Sequence, residues 1–342
     1  MKAEPGLPFH VFSRSKIKQH LTLSLYNDLK GIRTSSGYSL DQAIKSGIGN
    51  PDSAIGIYAG DMDSYDCFAP VLLPIIEDYH HLEPGWSHKP GMQKAVLPDL
   101  DPTLTFIRSS RIRVARNLCG FPFSGNMNLN QRQALEETIK QAFDTLPETL
   151  SGTYTGFADL NERQFNALLE KGLAFPKGDR FMDAAGINQD YPTGRGIFIS
   201  RDKVVRVWVN EEDHLRIIAQ SPDGNISRVF NRLQEMLTAL GDTLEFAFDR
   251  KKGFLTSCPT NIGTTMRAGV HIHLKNLEQN IPLLESIAKA HHLQIRGTNG
   301  EKTAVKKAVF DISNARRLGI SANTILNDLH SGVQAIIQAE KK

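Results

Sequence analysis

Four arginines, Arg108, Arg111, Arg113 and Arg116, fall within nine residues, interleaved with Ser110, Ile112 and Val114. On extended backbone successive side chains point to opposite faces, so Arg111 and Arg113 would share one face about 7 Å apart while Ile112 and Val114 face a core. Two guanidinium forks side by side suit a polyphosphate; a solvated strand face paired with carboxylates is the competing reading. Arg216, Arg267 and Arg296 lie in or beside other strand-like runs. The chain has no GxxxxGK[ST] loop and no GxGxxG fingerprint, so a phosphate site here would rest on arginine side chains.

Cys258 lies in Thr256-Ser257-Cys258-Pro259-Thr260-Asn261-Ile262-Gly263-Thr264-Thr265, a composition that describes a structured loop between two strands. Its N–H and hydroxyl donors, with Arg267 near in sequence, favour a thiolate; the alternative is a small buried thiol. Glu211, Glu212 and Asp213 close a hairpin, and extended backbone turns at most one of the two glutamates toward a cleft, a plain polar turn being the alternative. Arg296-Gly297-Thr298-Asn299-Gly300-Glu301-Lys302 is expected to be a mobile loop able to carry Glu301 into a site, or else a surface loop.

These residues need a scaffold. From Thr105 onward, period-2 alternation predicts strands over residues 105–114, 197–199, 204–209, 215–219, 244–248, 270–274 and 309–312, with the second to fourth forming a hairpin meander. Helical periodicity groups Leu135, Ile139, Ala142 and Leu146, then Val229, Leu233, Met236 and Leu240, then Ile325, Leu329, Val333 and Ile336. Strands and helices do not alternate regularly, which predicts α+β with an antiparallel sheet flanked by helices. Residues before about 100 read as short helical patches. Pro84, Pro90, Pro98 and Pro102 mark 83–102 as a linker. The expected division is a small helical domain over 1–90 and a larger α+β domain over 91–342.

Composition narrows the function. Forty basic against 37 acidic residues leave +3, too little for a general nucleic-acid binder. No run approaches the roughly 20 apolar residues of a membrane span, and the first residues lack a secretory apolar stretch. Cys67, Cys119 and Cys258 form no CxxC pair, so neither a disulfide framework nor a zinc site is indicated. The expectation is a cytoplasmic protein with no membrane or nucleic-acid partner.

Cys258-Pro259-Thr260-Asn261-Ile262-Gly263-Thr264 resembles the signature around the reactive cysteine of phosphagen kinases, the ATP:guanidino phosphotransferases. The likeness extends over Tyr191-Pro192-Thr193-Gly194-Arg195-Gly196-Ile197, over Val207 through Arg216, over Arg296-Gly297-Thr298 and over Asp311-Ile312-Ser313-Asn314. It implies a small helical N-terminal domain for guanidino-substrate specificity and a catalytic, ATP-binding C-terminal domain with a large antiparallel sheet. It further implies reversible transfer of the γ-phosphoryl group of ATP, with Mg²⁺ carried on the phosphates and no protein metal ligand. Nucleotide binding would fall to Ser109, Ser110, Arg111, Ile112, Arg113, Arg216, Arg267, Ala268, Gly269, Val270, His271, Arg296, Gly297, Thr298, Asn299, Gly300 and Glu301. Glu212, Cys258, Glu301 and Arg267 would be catalytic. Glu212, Cys258 and Glu301 would also hold the substrate, together with Ser53, Ala54, Ile55, Gly56 and Tyr58. Ser53-Ala54-Ile55-Gly56-Ile57-Tyr58 and Glu301 resemble the arginine-specific members, which makes arginine the expected acceptor and taurocyamine the alternative. A silent nucleotide-binding regulator is the reading from another class. Gly172, Ala54 and Asn299 depart from the residues those members commonly carry.

Overall fold

A computed structural model describes residues 6–10, 13–297 and 308–342. The chain opens with short helices, α1 (Lys16–His20), α2 (Leu23–Leu29), α3 (Leu40–Ala43), α4 (Lys45–Gly49), α5 (Ser64–Cys67) and α6 (Ala69–His80). Local chemistry starts and stops them. Ser39 and Gln42 form a capping box on α3, and His81 ends α6 in the left-handed region. Val71, Leu72, Ile75 and Ile76 bury one face of α6 against Ile17, Leu40 and Ile57. Phe123, Ala247, Leu255, Ile262 and Leu318, from later in the chain, complete this same core. It is therefore not closed by the N-terminal residues alone.

Residues 81–106 carry no helix or strand, as their prolines require. They are nonetheless pinned. The Ala95 N–H donates to Asn231 Oδ1 and the Leu97 N–H to Ser227 Oγ, each at 2.8 Å.

The remainder is α+β. Eight strands form one sheet: β1 (Ile107–Arg116), β2 (Gly152–Gly156), β3 (Gly196–Ser200), β4 (Val205–Val209), β5 (Leu215–Ser221), β8 (Arg267–His273), β9 (Leu293–Arg296) and β10 (Val309–Asn314). A separate ribbon pairs β6 (Phe248–Asp249) with β7 (Gly253–Phe254). The order in the sheet is β2-β3-β4-β5-β1-β8-β10-β9, and every neighbouring pair is antiparallel. The expected meander is β3-β4-β5. Helices α7 (Leu129–Asp144), α8 (Glu162–Glu170), α9 (Arg180–Ala184), α10 (Ile226–Gly241), α11 (Ile281–Ala290) and α12 (Ala322–Glu340) surround it.

Period-2 alternation gives the sheet two chemically distinct faces. Ile112, Val114, Val207, Ile217, Ala268, Val270 and Ile312 point to one side and pack on α10 and α12, whose residues Val229, Leu233, Met236, Ile325, Leu329 and Val333 are all buried. The opposite face carries Arg111, Arg113, Arg206, Arg216 and Arg267, whereas Arg116 ends β1 on the core side.

Three expectations need correction. Residues 244–248 form no strand of the eight-stranded sheet: the Leu244 N–H returns to Leu240 O at the end of α10, Phe246 makes a single bridge to Leu118, and Phe248 opens the β6–β7 ribbon. The pairing is short: the Cys119 N–H donates to Glu245 O and the Ala247 N–H to Asn117 O, and it does not extend into the sheet. Leu146 lies beyond the C-terminus of α7, although it remains buried. The edge strands β2 and β9 were not foreseen; β2 begins and ends in glycine, and a Cβ on Gly152 would lie 2.1 Å from Ile199 O. Among the described residues, no helix is long and apolar enough to cross a membrane.

Candidate active site

The sheet register sets the arginines in a row. Arg206 on β4 pairs with Ile218 on β5, Ile218 with Arg113 on β1, and Arg113 with Arg267 on β8. With strands about 4.8 Å apart, four neighbouring strands put three guanidinium stems on one line. Arg111 and Arg216 lie on the same face one pair to either side. Arg113, Arg216, Arg267 and Arg317 converge on a crevice of about 20 Å³ with Asn261 and Thr265.

Carboxylates compensate only part of this charge. Glu211 and Glu212 reach Arg216 at 2.9 and 3.3 Å, and Asp311 reaches Arg267 at 2.7 Å. Among the described residues no carboxylate pairs with Arg111 or Arg113, and Arg111 Nε is buried without a hydrogen-bond partner. Burial, followed by repulsion from Arg206, Arg216 and Arg267, lowers the Arg111 pKa to about 10. Burial and four neighbouring arginines push Arg113 well below its ordinary value. Such a face has an electrostatic deficit that an anion fills.

One edge of the row meets a carboxylate and a thiol. Asn210, in the left-handed region that asparagine tolerates, turns the chain between β4 and β5, and its N–H closes the turn on His214 O at 2.9 Å. This turn carries Glu212 inward. Asp213 Oδ1 accepts from Ser257 N (2.7 Å) and from Asn117 Nδ2 (2.8 Å), while Ser257 Oγ donates to Glu212 O (3.0 Å), so the hairpin and the Cys258 loop are fastened together. The loop is clamped at its base by Phe254 and Gly263, which exchange two backbone hydrogen bonds. Gly253 and Gly263 both have positive φ, and a Cβ on Gly253 would lie 2.7 Å from Gly263 Cα.

Burial, and after it the Asp213 charge, raises the Glu212 pKa to about 8. Cys258 Sγ lies 3.2 Å from Thr260 Oγ1, and burial with the Glu212 charge pushes the thiol up to about 12. The expected thiolate is thereby corrected: without a cationic ligand, burial first and the Glu212 charge second favour the neutral thiol.

The N-terminal loop docks onto this assembly. The Ala59 N–H donates to Ser257 O (2.8 Å), and Tyr65 Oη donates to Thr256 O (2.8 Å). Tyr58 lies within the fields of Cys258 and Glu212, which add to burial in raising its pKa. The carbonyls of Ala54, Ile55 and Gly56 accept from Lys16, Ile17 and Gly47, whereas the N–H groups of residues 54–57 donate to no acceptor among the described residues. Ser53 is buried, and its N–H returns to Asn50 O.

Of the other expected nucleotide residues, Ser109 Oγ and His271 Nδ1 lie 3.3 Å apart, Gly269 pairs with Arg111 where a Cβ would lie 2.7 Å from Ile312 O, and Arg296 stands opposite Asp311 at the end of β9, with Gly297 next. Ser110, Ile112, Ala268 and Val270 are corrected: they alternate to the core side, where Ser110 Oγ donates to Asp223 O, and only their backbone can serve the site. Thr298, Asn299, Gly300 and Glu301 lie outside the described residues. Two arginines escaped sequence reasoning. Arg206 alternates with Val205, Val207 and Val209, a signal that could have found it. Arg317, which donates to Asn261 Oδ1 at 2.7 Å, sits in a loop with no periodic signal.

Residues 13–77 match the family model of the ATP:guanido phosphotransferase N-terminal domain, and residues 134–342 that of the C-terminal catalytic domain. The chain is 40% identical to an arginine kinase of Limulus polyphemus over 96% of its own length and 93% of that protein. It is also 40% identical to an arginine kinase of Anthopleura japonica, of whose length it spans 47%. A lombricine kinase structure superposes with a TM-score of 0.93 at 32% identity, covering 99% of this chain and 95% of that one. A duplicated taurocyamine kinase from Schistosoma mansoni gives 0.91 at 33% identity, covering 97% and 48%. The chain belongs to the ATP:guanido phosphotransferase family, the phosphagen kinases.

Proposed function

We propose that this protein transfers the γ-phosphoryl group of MgATP reversibly to the guanidino group of L-arginine and so buffers ATP in the cytoplasm. The observation that carries the reading is the pair of half-buried guanidinium groups, Arg111 and Arg113, with no carboxylate partner among the described residues, on a face that ends at Glu212 and Cys258.

Phosphoryl transfer passes through a state whose charge spreads over equatorial oxygens, so positioning and charge stabilisation do most of the work. Arg111, Arg113, Arg216, Arg267 and Arg296 hold the phosphates and neutralise that charge, and Arg206 and Arg317 extend the same field. Among the described residues no cluster of His, Cys, Asp and Glu has the makings of a metal site. Mg²⁺ would be held by phosphate oxygens and water and would neutralise the phosphates. Glu212 clamps the guanidinium in line with the phosphorus and accepts its proton as the phosphorus–nitrogen bond forms. Cys258 orients the other edge of the guanidinium and becomes anionic only beside that cation. Glu301 is proposed as the second guanidinium carboxylate on the strength of the family resemblance. The unbonded N–H groups of residues 54–57 and the Tyr58 phenol suit an amino-acid carboxylate. On this reading 1–90 select the guanidino substrate and 91–342 carry out catalysis.

A second reading, transfer to taurocyamine, is favoured by the likeness to the Schistosoma mansoni enzyme. ATP consumption measured with arginine, taurocyamine, lombricine, creatine and glycocyamine decides between them. The highest kcat/KM is expected for arginine; a higher value for taurocyamine overturns the assignment.

A further inference from the structure

Behind the sheet, on the face away from the arginine row, a cavity of about 540 Å³ lies between the linker, α10 and the β6–β7 ribbon. That size suits a small organic ligand. Its walls are largely apolar, with Leu237 from α10, Phe246 and Phe254 beside the ribbon, and Met266 before β8. Six polar side chains interrupt them: Gln234, Thr238 and the exposed Asp242 at the end of α10, Thr264 from the Cys258 loop, and two that are almost fully buried. Arg116 ends β1 on the core side, and His88 comes from the linker.

Arg116 is 4% exposed, and its guanidinium stacks on Phe254 with its carbon 3.4 Å from the ring centre. Nη1 donates to Ala115 O (2.7 Å) and to Thr265 Oγ1 (2.8 Å), which ties β1 to the end of the Cys258 loop. Nε has no hydrogen-bond partner, and no carboxylate among the described residues pairs with this arginine. His88 is 6% exposed; its N–H donates to Lys251 O (2.6 Å), its ring stands edge-on to Phe248, and its Nδ1 has no partner. Burial and the nearby Arg116 charge both lower the His88 pKa, which favours a neutral ring.

A structural clip uses only Nη1. It leaves, among the described residues, a buried cation without a counter-ion at the wall of the cavity, which is a costly arrangement. A single negative charge on an apolar body supplies that counter-ion and matches the largely apolar walls. A phosphate dianion does not, because the apolar walls cannot replace its hydration.

We propose that this cavity is a binding site for a small amphipathic carboxylate, an aromatic or branched aliphatic acid whose carboxylate pairs with Arg116 and whose body lies against Leu237, Phe246 and Met266. The site is separate from the nucleotide face, since β1 presents Arg111 and Arg113 to one side and Arg116 to the other.

Fluorine NMR titration of the intact protein with 4-fluorophenylacetate, and with its neutral amide, tests this. The acid is expected to bind at millimolar concentration or below, and the amide about tenfold or more weakly, since it lacks the charge-assisted bond. Arg116→Gln should weaken the acid to the level of the amide. Leu237→Trp, which fills the cavity from α10, should abolish binding, whereas Arg113→Gln should leave it unchanged. Should Arg116→Gln fail to fold, the acid-to-amide ratio in the native protein and the Leu237→Trp variant decide the matter. Equal affinity for acid and amide, no binding of the acid, or loss of binding in Arg113→Gln would each overturn the proposal.

Discussion

On the proposed mechanism, Glu212 is the residue whose protonation most directly sets activity. Its pKa of about 8 means that below that pH the free enzyme holds it as a neutral acid, unable to accept the guanidinium proton. The kcat/KM for phosphoryl transfer to arginine should therefore fall about tenfold per pH unit below 8, the slope of a single essential ionisation. In the substrate complex the guanidinium cation favours the carboxylate, so the corresponding limb in kcat should lie at lower pH. Glu212→Gln should lose the limb along with most of the rate; an unchanged limb would move the base elsewhere. Cys258 makes a matching case. Because its thiol is pushed up to about 12, iodoacetamide should alkylate it at a rate that climbs about tenfold per pH unit from 7 to 10 without a plateau, measured with Cys67 and Cys119 replaced by serine. A plateau near pH 7 would show a thiolate already present without ligand. Cys258→Ala should lower kcat while leaving nucleotide KM nearly unchanged, since the sulfur lies beside the guanidinium position and not in the arginine row.

At the scale of elements, the two-faced sheet holds the strain and the function together. Arg113 sits among Arg111, Arg216, Arg267 and Arg317, and its folded pKa lies below the unfolded one. Folding disfavours its charge at every pH below the unfolded value, so this cation destabilises the anion-free fold throughout the working range. Arg113→Met should therefore raise the urea midpoint while lowering kcat by roughly 100-fold or more, the scale for losing a preorganised charge at developing oxyanions. Saturating phosphate should stabilise the native protein more than the variant. A variant less stable than the native protein in the absence of anions would mean that the arginine row is internally compensated.

At the scale of the whole molecule, the helical part and the sheet are joined where the substrate is expected. Tyr65 is 1% exposed, and its hydroxyl is bonded to Thr256 O within the Cys258 loop. Tyr65→Phe keeps the packing but leaves that carbonyl without its bond, at a cost of about 1 to 3 kcal/mol. A thermal or urea melt should register this loss, and KM for arginine should rise more than KM for ATP, because the loop borders the guanidinium position. Equal effects on both constants would show that the bond serves stability alone. The core points the same way: Phe123, Leu255, Ile262 and Leu318 pack among the N-terminal helices, so the two regions share apolar burial as well as hydrogen bonds.

Much of this protein is written in short-range patterns. Alternation around Arg111 and Arg113 carries their common face, the Cys258 loop declares itself by its hydroxyls, proline and glycine, and the α10 and α12 stripes follow from helical period alone. Those signals are local, and they survive in sequence because side-chain direction repeats every 2 or 3.6 residues. The tertiary structure decided the rest. It placed Arg206 and Arg317 with the other arginines, gave Arg216 two carboxylates but Arg111 and Arg113 none among the described residues, and turned residues 244–248 from an expected sheet strand into a short bridge to residues 117–119. It also reversed the expected state of Cys258. Charge balance and burial depend on groups far apart in the chain, and a thiol carries no mark of whether an arginine or a buried glutamate will stand beside it.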